Sequence, residues 1–364
     1  MRLRSLSLTQ FRSYTECNLP WDNVLHLLLG SNGSGKTNIL EAISILSLGR
    51  SCLGSEEEDL PRWGTEFYRL RAETVSDAGE KETLEIVSQL LPRKAKAAFV
   101  NDVKVPVSSI VGHLPTVTFL PSDLNLFGGP PSERRRFLDQ ILCQVSPEYS
   151  EAHSAYQKTV KQRNALLRRI AEDEASAGEL ETWDTAVSEK GSLLTIRRLE
   201  LIETFGLALR EELAALGENG SDVRFVYDRK GGETLQERLA EELLSMLRRH
   251  RERDILLQAT SIGPHRDDWH IAVEGRDLRS FASRGQQRTA VLALLFLEVS
   301  YLEIRRGEKP VVLLDDVFSE LDDEHQDGVL ASLKDHQVII TATHQPEKLH
   351  GAEVRVVDKG TIRK

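Results

Sequence analysis

The residue pattern with the most specific chemistry lies near the start of the chain. Residues 30–37 read GSNGSGKT, which fits the phosphate-binding pattern G-x-x-x-x-G-K-[ST], the P-loop. Its glycines let backbone N–H groups turn toward phosphate oxygens, its lysine reaches the terminal phosphates, and its threonine can bind Mg²⁺. The pattern predicts a nucleotide site made of Gly30, Ser31, Asn32, Gly33, Ser34, Gly35, Lys36 and Thr37.

A pair of carboxylates supplies the second half of this chemistry. The apolar run Val311–Leu314 is followed by Asp315 and Asp316. A continuous apolar run is typical of a parallel strand buried on both faces, and its C-terminal end would lie at the sheet edge where α/β folds bind ligands. We expect Asp315 to hold Mg²⁺, as in a Walker B motif, and Asp316 to orient or deprotonate an attacking water.

A second anion site is predicted late in the chain. Residues 283–288 read SRGQQR and open a long predicted helix, so a serine and a glycine stand at a helix N-terminus, where anions bind. The segment resembles the signature of ABC-type ATPases. That resemblance implies nucleotide contacts by Ser283, Gly285, Gln286 and Gln287.

Two more segments fit the same ATPase class. Residues 319–322 follow the Walker B carboxylates as a D-loop does. His344 follows a predicted strand, where these ATPases carry a switch histidine, although a histidine in a polar loop is the alternative. The resemblance places His344 with Lys36 and Asp316 among the catalytic residues. Most ABC-type ATPases have Glu at the position of Asp316, so the shorter base predicts slow turnover.

The elements that must position these residues follow from periodicity. The run Val24–Leu29 predicts a strand before the P-loop, and helical spacing follows Thr37. Alternation over residues 3–11 predicts an exposed strand. Short strand-like runs predict an antiparallel sheet beside the nucleotide core at residues 67–70, 84–87, 98–100 and 116–120.

The middle of the chain changes to a helical pattern. Residues 132–216 contain few glycines, with a polar break over residues 172–178. Two long helices around that break predict an antiparallel hairpin, either as a coiled-coil arm or within a helical bundle. A loop over residues 217–222, a strand over residues 223–227 and one helix over residues 235–256 are expected next.

The predicted fold class is α/β: an ABC-type P-loop ATPase head with an antiparallel β subdomain and an inserted helical arm. The N-terminal part of the head would span residues 1–131, the helical arm residues 132–256, and the C-terminal part of the head residues 257–364. The last part closes the fold with a predicted helix over residues 285–305 and three strands.

Composition limits the class of protein. The chain has 364 residues and a net charge of −10, so nucleic-acid binding would need local basic faces. Its three cysteines are far apart, which suits a reducing compartment. The N-terminus lacks the apolar core of a signal peptide, and the longest apolar run, Val291–Leu297, is too short to span a membrane. We expect a soluble cytoplasmic protein with no membrane partner.

Several motifs together resemble the RecF family. They span nearly the whole chain and read LTQFRSY at residues 8–14, TNILEA at residues 37–42, PPSERRRFLD at residues 130–139, GPHRDD at residues 263–268 and SRGQQR at residues 283–288. Members of this family are ATPases of DNA replication and recombinational repair. The long segment between the P-loop and the signature fits this resemblance.

The resemblance implies a function. It implies Mg²⁺ and ATP as cofactors, with Arg12 among the nucleotide-binding residues, and ATP-dependent dimerisation on double-stranded or gapped DNA. The nucleotide would lie between the P-loop of one copy and the signature of the other. It also implies action with RecO and RecR to help load RecA, and a weak, DNA-stimulated ATPase that acts as a switch.

Basic clusters are candidates for the DNA contacts. Sequence-independent binding needs only Lys or Arg side chains directed at phosphates. Each cluster could instead be a solvated helix face, or an internal packing element in the case of residues 134–136. The predicted DNA-binding residues are Arg134, Arg135, Arg136, Arg168, Arg169, Arg197 and Arg198.

Two other functions fit parts of the pattern. One is the ATPase subunit of a membrane transporter, against which the long helical segment 132–216 argues. The other is an interaction protein that uses ATP only to hold a dimer together, without significant turnover.

Overall fold

The computed structural model describes residues 1–218 and 222–363. The chain forms two compact units. The first comprises Met1–Asn125 and Arg288–Lys364, and the second comprises Leu126–Gln287. The loop predicted over residues 217–222 lies in part outside the described residues.

Strands and helices are numbered along the whole chain. The strands are β1 (Arg2–Phe11), β2 (Tyr14–Pro20), β3 (Leu25–Leu29), β4 (Phe67–Val75), β5 (Lys81–Gln89), β6 (Ala95–Val100), β7 (Val103–Val105), β8 (Thr116–Phe119), β9 (Val223–Asp228), β10 (Asp268–Val273), β11 (Arg276–Asp277), β12 (Val311–Asp315), β13 (Val338–Ala342), β14 (Glu353–Asp358) and β15 (Thr361–Arg363). The helices are α1 (Lys36–Leu48), α2 (Pro131–Val145), α3 (Pro147–Ala171), α4 (Leu180–Ala215), α5 (Gln236–Arg249), α6 (Arg251–Leu257), α7 (Leu278–Phe281), α8 (Arg284–Arg306) and α9 (Asp323–Ser332).

The first unit contains two sheets. Within the described residues, the antiparallel sheet has the order β2-β1-β4-β5-β6-β7, and the second sheet has the order β15-β14-β3-β13-β12-β8. In the second sheet β14, β3, β13, β12 and β8 pair in parallel. Every residue of β12 and of β13 is buried, as their continuous apolar sequences predict. This parallel sheet carries the P-loop and Walker B segments.

Two strand predictions need correction. The alternating strand at the N-terminus is β1, but it is not exposed: it pairs with β2 on one side and β4 on the other, and Leu3, Leu6, Leu8 and Phe11 are fully buried. The run at residues 116–120 forms β8, which pairs with β12 in the parallel sheet instead of joining the antiparallel one. Local alternation identifies a strand but does not reveal its neighbours.

The second unit combines a helical hairpin with a small sheet. The helices α3 and α4 pack against each other across the break between Ala171 and Leu180. Along α4 lie α5 and β9, and β9 belongs to an antiparallel sheet of order β11-β10-β9. The helical arm is therefore part of a compact unit, which favours the bundle alternative over a free coiled coil.

Two helix boundaries differ from the predictions. The helical region that begins near residue 132 is divided at Ser146, because the residue before a proline disfavours helical geometry. Ser146 instead caps α3, and its Oγ accepts a hydrogen bond from Tyr149 N at 3.1 Å. The single helix predicted over residues 235–256 is two helices, α5 and α6, with His250 between them at φ −99° and ψ 6°.

Among the described residues, none of the helices combines the length and the apolar composition needed to cross a bilayer. The cysteines Cys17, Cys52 and Cys143 are thiols that take part in no disulfide among the described residues.

Candidate functional site

The P-loop connects β3 to α1 at one edge of the parallel sheet. Gly30 N donates a hydrogen bond to Ala342 O of the neighbouring strand β13 at 3.2 Å. At the other end, Gly35 has φ 111° and ψ 7° and precedes the first helical residue. A Cβ atom at Gly35 would lie 2.7 Å from Ser13 Oγ, which explains why only glycine fits there. This geometry leaves the backbone N–H groups at the start of α1 facing the loop, as phosphate binding requires.

Lys36 is folded over the loop that precedes it. Its Nζ atom donates hydrogen bonds to Gly30 O at 2.6 Å and to Ser31 O at 3.0 Å, and its side chain is buried. Burial lowers the pKa of Lys36, while Asp316 and Asp315 oppose that shift. The ammonium group is therefore held at the loop, next to the two Walker B carboxylates.

Thr37 and Asp315 form the second contact of the site. Thr37 Oγ1 lies 3.0 Å from both carboxylate oxygens of Asp315, and Thr341 Oγ1 donates to Asp315 Oδ1 at 2.7 Å. A hydroxyl and a carboxylate are oxygen ligands of the kind that Mg²⁺ prefers. In residues 1–218 and 222–363 no group of three His, Cys, Asp or Glu could hold a metal. Mg²⁺ usually takes one or two carboxylates together with phosphates, so the oxygens of Thr37 and Asp315 fit this ion.

Asp316 has an unusual backbone conformation beside Asp315. It lies in the left-handed region with φ 49°, and its N–H donates to Thr341 O at 3.1 Å and Thr341 Oγ1 at 3.0 Å. Burial raises the pKa of Asp316; Lys36 lowers it, and Asp315 raises it further. A raised pKa makes this carboxylate a better proton acceptor than a solvated aspartate.

The predicted D-loop, residues 319–322, comes shortly after Asp316 along the chain. Ser319 Oγ donates to Asp316 O at 2.7 Å, which fixes the first turn after Walker B. Arg288 binds the same loop through Glu320, with Nη1 donating to the carbonyl at 2.9 Å and Nη2 contacting the carboxylate at 3.2 Å. His344 is exposed just after β13 and contacts its neighbour Thr343 through Nδ1 at 3.1 Å.

Arg12, expected among the nucleotide-binding residues, lies next to α1 and is paired with a carboxylate of that helix. Its Nε and Nη2 atoms bind the two oxygens of Glu41 at 2.8 Å each, and Nη1 donates to Asp59 O at 2.7 Å. Glu41 is fully buried and also accepts a hydrogen bond from Ser51 Oγ at 2.6 Å. The sequence analysis missed Glu41, although a carboxylate among the apolar residues of α1 was a signal that it needs a buried partner.

The signature segment lies in the second unit at the start of α8. Ser283 Oγ accepts a hydrogen bond from Gln286 N at 3.2 Å, and Gln286 Oε1 accepts one from Ser283 N at 3.1 Å. These reciprocal bonds form a capping box. Gln287 Nε2 donates to Ala282 O at 3.3 Å. Gly285 lies within the first turn, so the segment has a defined local conformation.

Two of the predicted DNA-binding residues are buried. Arg134 is 3% exposed and binds Asp268, and Arg198 is 2% exposed and binds Asp139 through three hydrogen bonds of 2.8–3.0 Å. A buried guanidinium group that is already paired with a carboxylate does not present its charge to a phosphate. The prediction of DNA contacts by Arg134 and Arg198 is therefore corrected to an internal structural role.

Three other arginines predicted to bind DNA differ in how far they are exposed and paired. Arg135 is partly buried and donates to Asp267 O at 2.7 Å, and Arg197 pairs with Glu148 and Glu200. Arg136 is partly exposed.

A group of exposed cations lies along one side of α3. Arg168 and Arg169 are exposed there together with Lys158 and Lys161, which the sequence analysis did not single out. Within the described part of the chain these four side chains form no ion pair with a carboxylate. Lys158, Lys161 and Arg168 are three and seven residues apart and therefore share one face of a helix. This spacing could have identified the basic face from the sequence. These four residues are called the α3 basic stripe.

Comparisons with known proteins agree with this architecture. The family model of the RecF/RecN/SMC N terminal domain matches residues 2–359. The DNA replication and repair protein RecF of Heliobacterium modesticaldum is 34% identical, with 100% of this chain and 99% of the relative covered. The corresponding protein of Symbiobacterium thermophilum is 38% identical, with 94% and 92% covered.

A solved structure of the recombination mediator protein RecF-ATP in the RecFOR pathway shares the fold. Its TM-score is 0.91 at 31% identity, and 99% of this chain and 96% of that chain are covered. These matches confirm the predicted ABC-type head with its antiparallel subdomain and helical arm, and they exclude the transporter subunit. The chain belongs to the RecF family of DNA replication and repair proteins.

Proposed function

We propose that this protein is an ATP-dependent DNA-binding protein of recombinational repair, in which ATP joins two copies on DNA and slow hydrolysis releases them. The observation that carries the proposal is the cluster of Lys36, Thr37, Asp315 and Asp316 at one edge of the parallel sheet. The cluster contains a cation for phosphates, oxygen ligands for Mg²⁺ and a carboxylate with a raised pKa. The RecF-ATP structure among the relatives supports ATP as the nucleotide.

Each residue of the cluster has a distinct task. The backbone N–H groups at the start of α1 and the Nζ atom of Lys36 would hold the phosphates, and Thr37 with Asp315 would hold the metal. Bound Mg²⁺ would neutralise charge on the phosphates during transfer to water. Asp316 would accept a proton from that water, and its raised pKa, caused first by burial, favours this step.

The second half of the site would come from another copy. The capping box at Ser283 and Gln286 presents the N-terminus of α8, which favours an anion. If the signature of one copy binds the nucleotide of the other, ATP becomes part of the interface. Nucleotide binding then stabilises the dimer, and hydrolysis weakens it. Asp316 has a shorter side chain than the usual Glu, which fits slow turnover.

The α3 basic stripe is the best-supported DNA surface in the described residues. Lys158, Lys161, Arg168 and Arg169 are exposed and free of carboxylate partners there, so they can neutralise phosphates without breaking internal ion pairs. Binding of this kind is independent of sequence and weakens with salt, by about 0.9 in the slope of log K against log salt for each phosphate contact. The doubly substituted variant Lys161→Ala/Arg168→Ala should therefore lose about two units of slope.

A matched control is available in the first unit. Lys104 is exposed on β7, and Lys104→Ala should leave both the affinity for duplex DNA and its salt dependence unchanged. The measurement is fluorescence anisotropy of labelled gapped DNA over a salt series. Equal salt slopes for the double variant and the parent would contradict a role of the α3 basic stripe.

The partners proposed for this chain are RecR and RecO, because the solved relative is assigned to the RecFOR pathway. The proposed role with them is to help load RecA at gaps. The proposed compartment is the cytoplasm, because the three cysteines are far apart in the sequence, as suits a reducing environment.

The test of the proposed function is the mass of the protein in solution with ATP, measured with and without gapped DNA. The parent should dimerise with ATP, Lys36→Met should stay monomeric, and Asp316→Asn should remain a DNA-bound dimer. Asn tolerates the left-handed backbone at residue 316, so this variant tests chemistry rather than folding. Monomers under all conditions would refute the proposal.

The second candidate function is an interaction protein that uses ATP without turnover. The shorter carboxylate at position 316 is the observation that favours it. Phosphate release measured for the parent and for Asp316→Asn separates the two functions. Equal release from both proteins would support the candidate without turnover, and faster release from the parent would support the switch.

A further inference from the structure

Two charged motifs of this chain have no part in the nucleotide chemistry, and the structure brings them together in the second unit. One is PPSERRRFLD at residues 130–139, and the other is GPHRDD at residues 263–268. Arg134 of the first motif binds Asp268 of the second through a two-pronged ion pair, with Nε–Oδ1 at 2.7 Å and Nη2–Oδ2 at 2.8 Å. Such bidentate pairs fix geometry as well as charge.

Arg134 also fixes the segment through which the chain enters the second unit. Its Nη1 atom donates to Leu126 O at 3.1 Å and to Gly129 O at 2.8 Å. Its own carbonyl accepts a hydrogen bond from Trp269 Nε1 at 2.7 Å, next to Asp268. The guanidinium group therefore holds the entering segment against strand β10.

The same carboxylate reaches the segment through which the chain leaves the unit. Asp268 Oδ2 accepts a second hydrogen bond, from Arg279 Nη1 at 2.9 Å. Arg279 also pairs with Asp277 at 2.7 Å, and Asp277 caps α7 by accepting from the N–H of Arg279 at 2.9 Å. Helix α7 ends at Phe281, two residues before the signature serine.

Helix α7 depends on these contacts of Arg279 because it is short. It has four residues, and one helical turn has no stability of its own in water. Burial raises the pKa of Asp268, but the hydrogen bonds from Arg134 and from the backbone of Trp269, together with the charges of Arg134 and Arg279, hold that pKa below its ordinary value. The carboxylate is therefore charged at neutral pH, and both arginines remain attached to it.

We propose that Arg134, Asp268 and Arg279 are positioning residues for the signature, which hold Ser283–Gln287 where a second copy needs it. The inference rests on the proposed function, because it assumes that the signature binds the nucleotide of a partner copy. Loosening α7 should weaken association of two ATP-loaded copies. ATP binding to the P-loop of the same copy should not change, because the P-loop belongs to the first unit.

The test uses the full chain with Arg279→Gln, which removes the charge at a side chain that is 26% exposed. The matched control is Arg276→Gln, three residues earlier and exposed to solvent. Three quantities are measured: the dimer dissociation constant with ATP by sedimentation, the affinity of dilute monomer for a fluorescent ATP analogue, and the melting temperature. Arg279→Gln removes a hydrogen bond to a charged carboxylate. If that loss is transmitted to the signature, the dimer dissociation constant should rise about tenfold.

The expected result separates positioning from general stability. Arg279→Gln should dimerise about tenfold more weakly while its ATP affinity stays as in the parent, and Arg279→Lys should recover part of the loss. Arg276→Gln should match the parent. Dimerisation of Arg279→Gln equal to the parent would overturn the inference, as would a parallel loss of monomer ATP affinity. A parent protein that does not dimerise with ATP would instead refute the proposed function itself.

Discussion

Replacing Gly35 by alanine is the most informative test of how the P-loop is built. Gly35 has φ 111°, and an added Cβ would lie 2.7 Å from Ser13 Oγ and 3.0 Å from the hydroxyl of Tyr14. Holding an alanine in such a sparsely populated conformation costs about 1–3 kcal/mol. Relieving the two close contacts costs about 1–3 kcal/mol more. We therefore expect Gly35→Ala to lose about 4 kcal/mol of unfolding free energy in the absence of nucleotide.

Gly33→Ala is the matched control in the same loop. Gly33 also has positive φ, 76°, but a Cβ there would meet no atom within 4 Å among the described residues. Gly33→Ala should therefore lose only the unfolding free energy needed to hold an alanine at positive φ, about 1–2 kcal/mol. In a unit of this size the difference of about 2 kcal/mol corresponds to a melting temperature about 4–8 °C lower for Gly35→Ala.

The assay is differential scanning calorimetry of the two variants and the parent without nucleotide. Equal melting temperatures for Gly35→Ala and Gly33→Ala would refute the reasoning, because both sites have positive φ but only the methyl group added at Gly35 makes close contacts.

Three further predictions concern charged groups. Glu41→Ala leaves Arg12 without its carboxylate and should lower the unfolding free energy by about 3 kcal/mol, measured by urea denaturation. Arg163 is fully buried between Asp184 and Asp254, so Arg163→Met should cost about 3–5 kcal/mol of unfolding free energy, measured by urea denaturation. Burial raises the pKa of Asp267 to about 6, above about 3.9 in an unfolded chain. The folded protein therefore binds this proton more tightly, and the contribution of Asp267 to stability falls as pH rises from about 4 to about 6. Asp267→Asn removes that dependence, so its stability relative to the parent should rise by about 2–3 kcal/mol between pH 4 and pH 7, measured by urea denaturation; a constant difference would contradict the shift.

The chemistry of the nucleotide site was predictable because it depends on short segments. The P-loop and the pair Asp315–Asp316 are recognisable from spacing, and the runs that flank them predict a strand, a helix and another strand. The hairpin of α3 and α4 was predictable as well, since a polar break separates two helical patterns. In each case the physical signal lies in one continuous stretch of the chain.

The remaining features depend on distant partners. Arg134 and Asp268 are 134 residues apart, and Arg198 and Asp139 are 59 apart, so a basic cluster in the sequence does not reveal which arginines are neutralised inside. The same holds for β1, because its alternating pattern does not reveal that it lies between β2 and β4 in the sheet. Pairing and ion-pair partners are set by tertiary contacts, which a single sequence does not display.

The central claim is that one nucleotide site is shared between two copies, and mixing two inactive variants tests it directly. Lys36→Met has an intact signature, and Ser283→Arg has an intact P-loop. Neither should dimerise with ATP alone, but a mixture should form a heterodimer with one complete site, seen as a doubled mass in sedimentation. A mixture that stays monomeric, while the parent dimerises under the same conditions, would contradict the shared site.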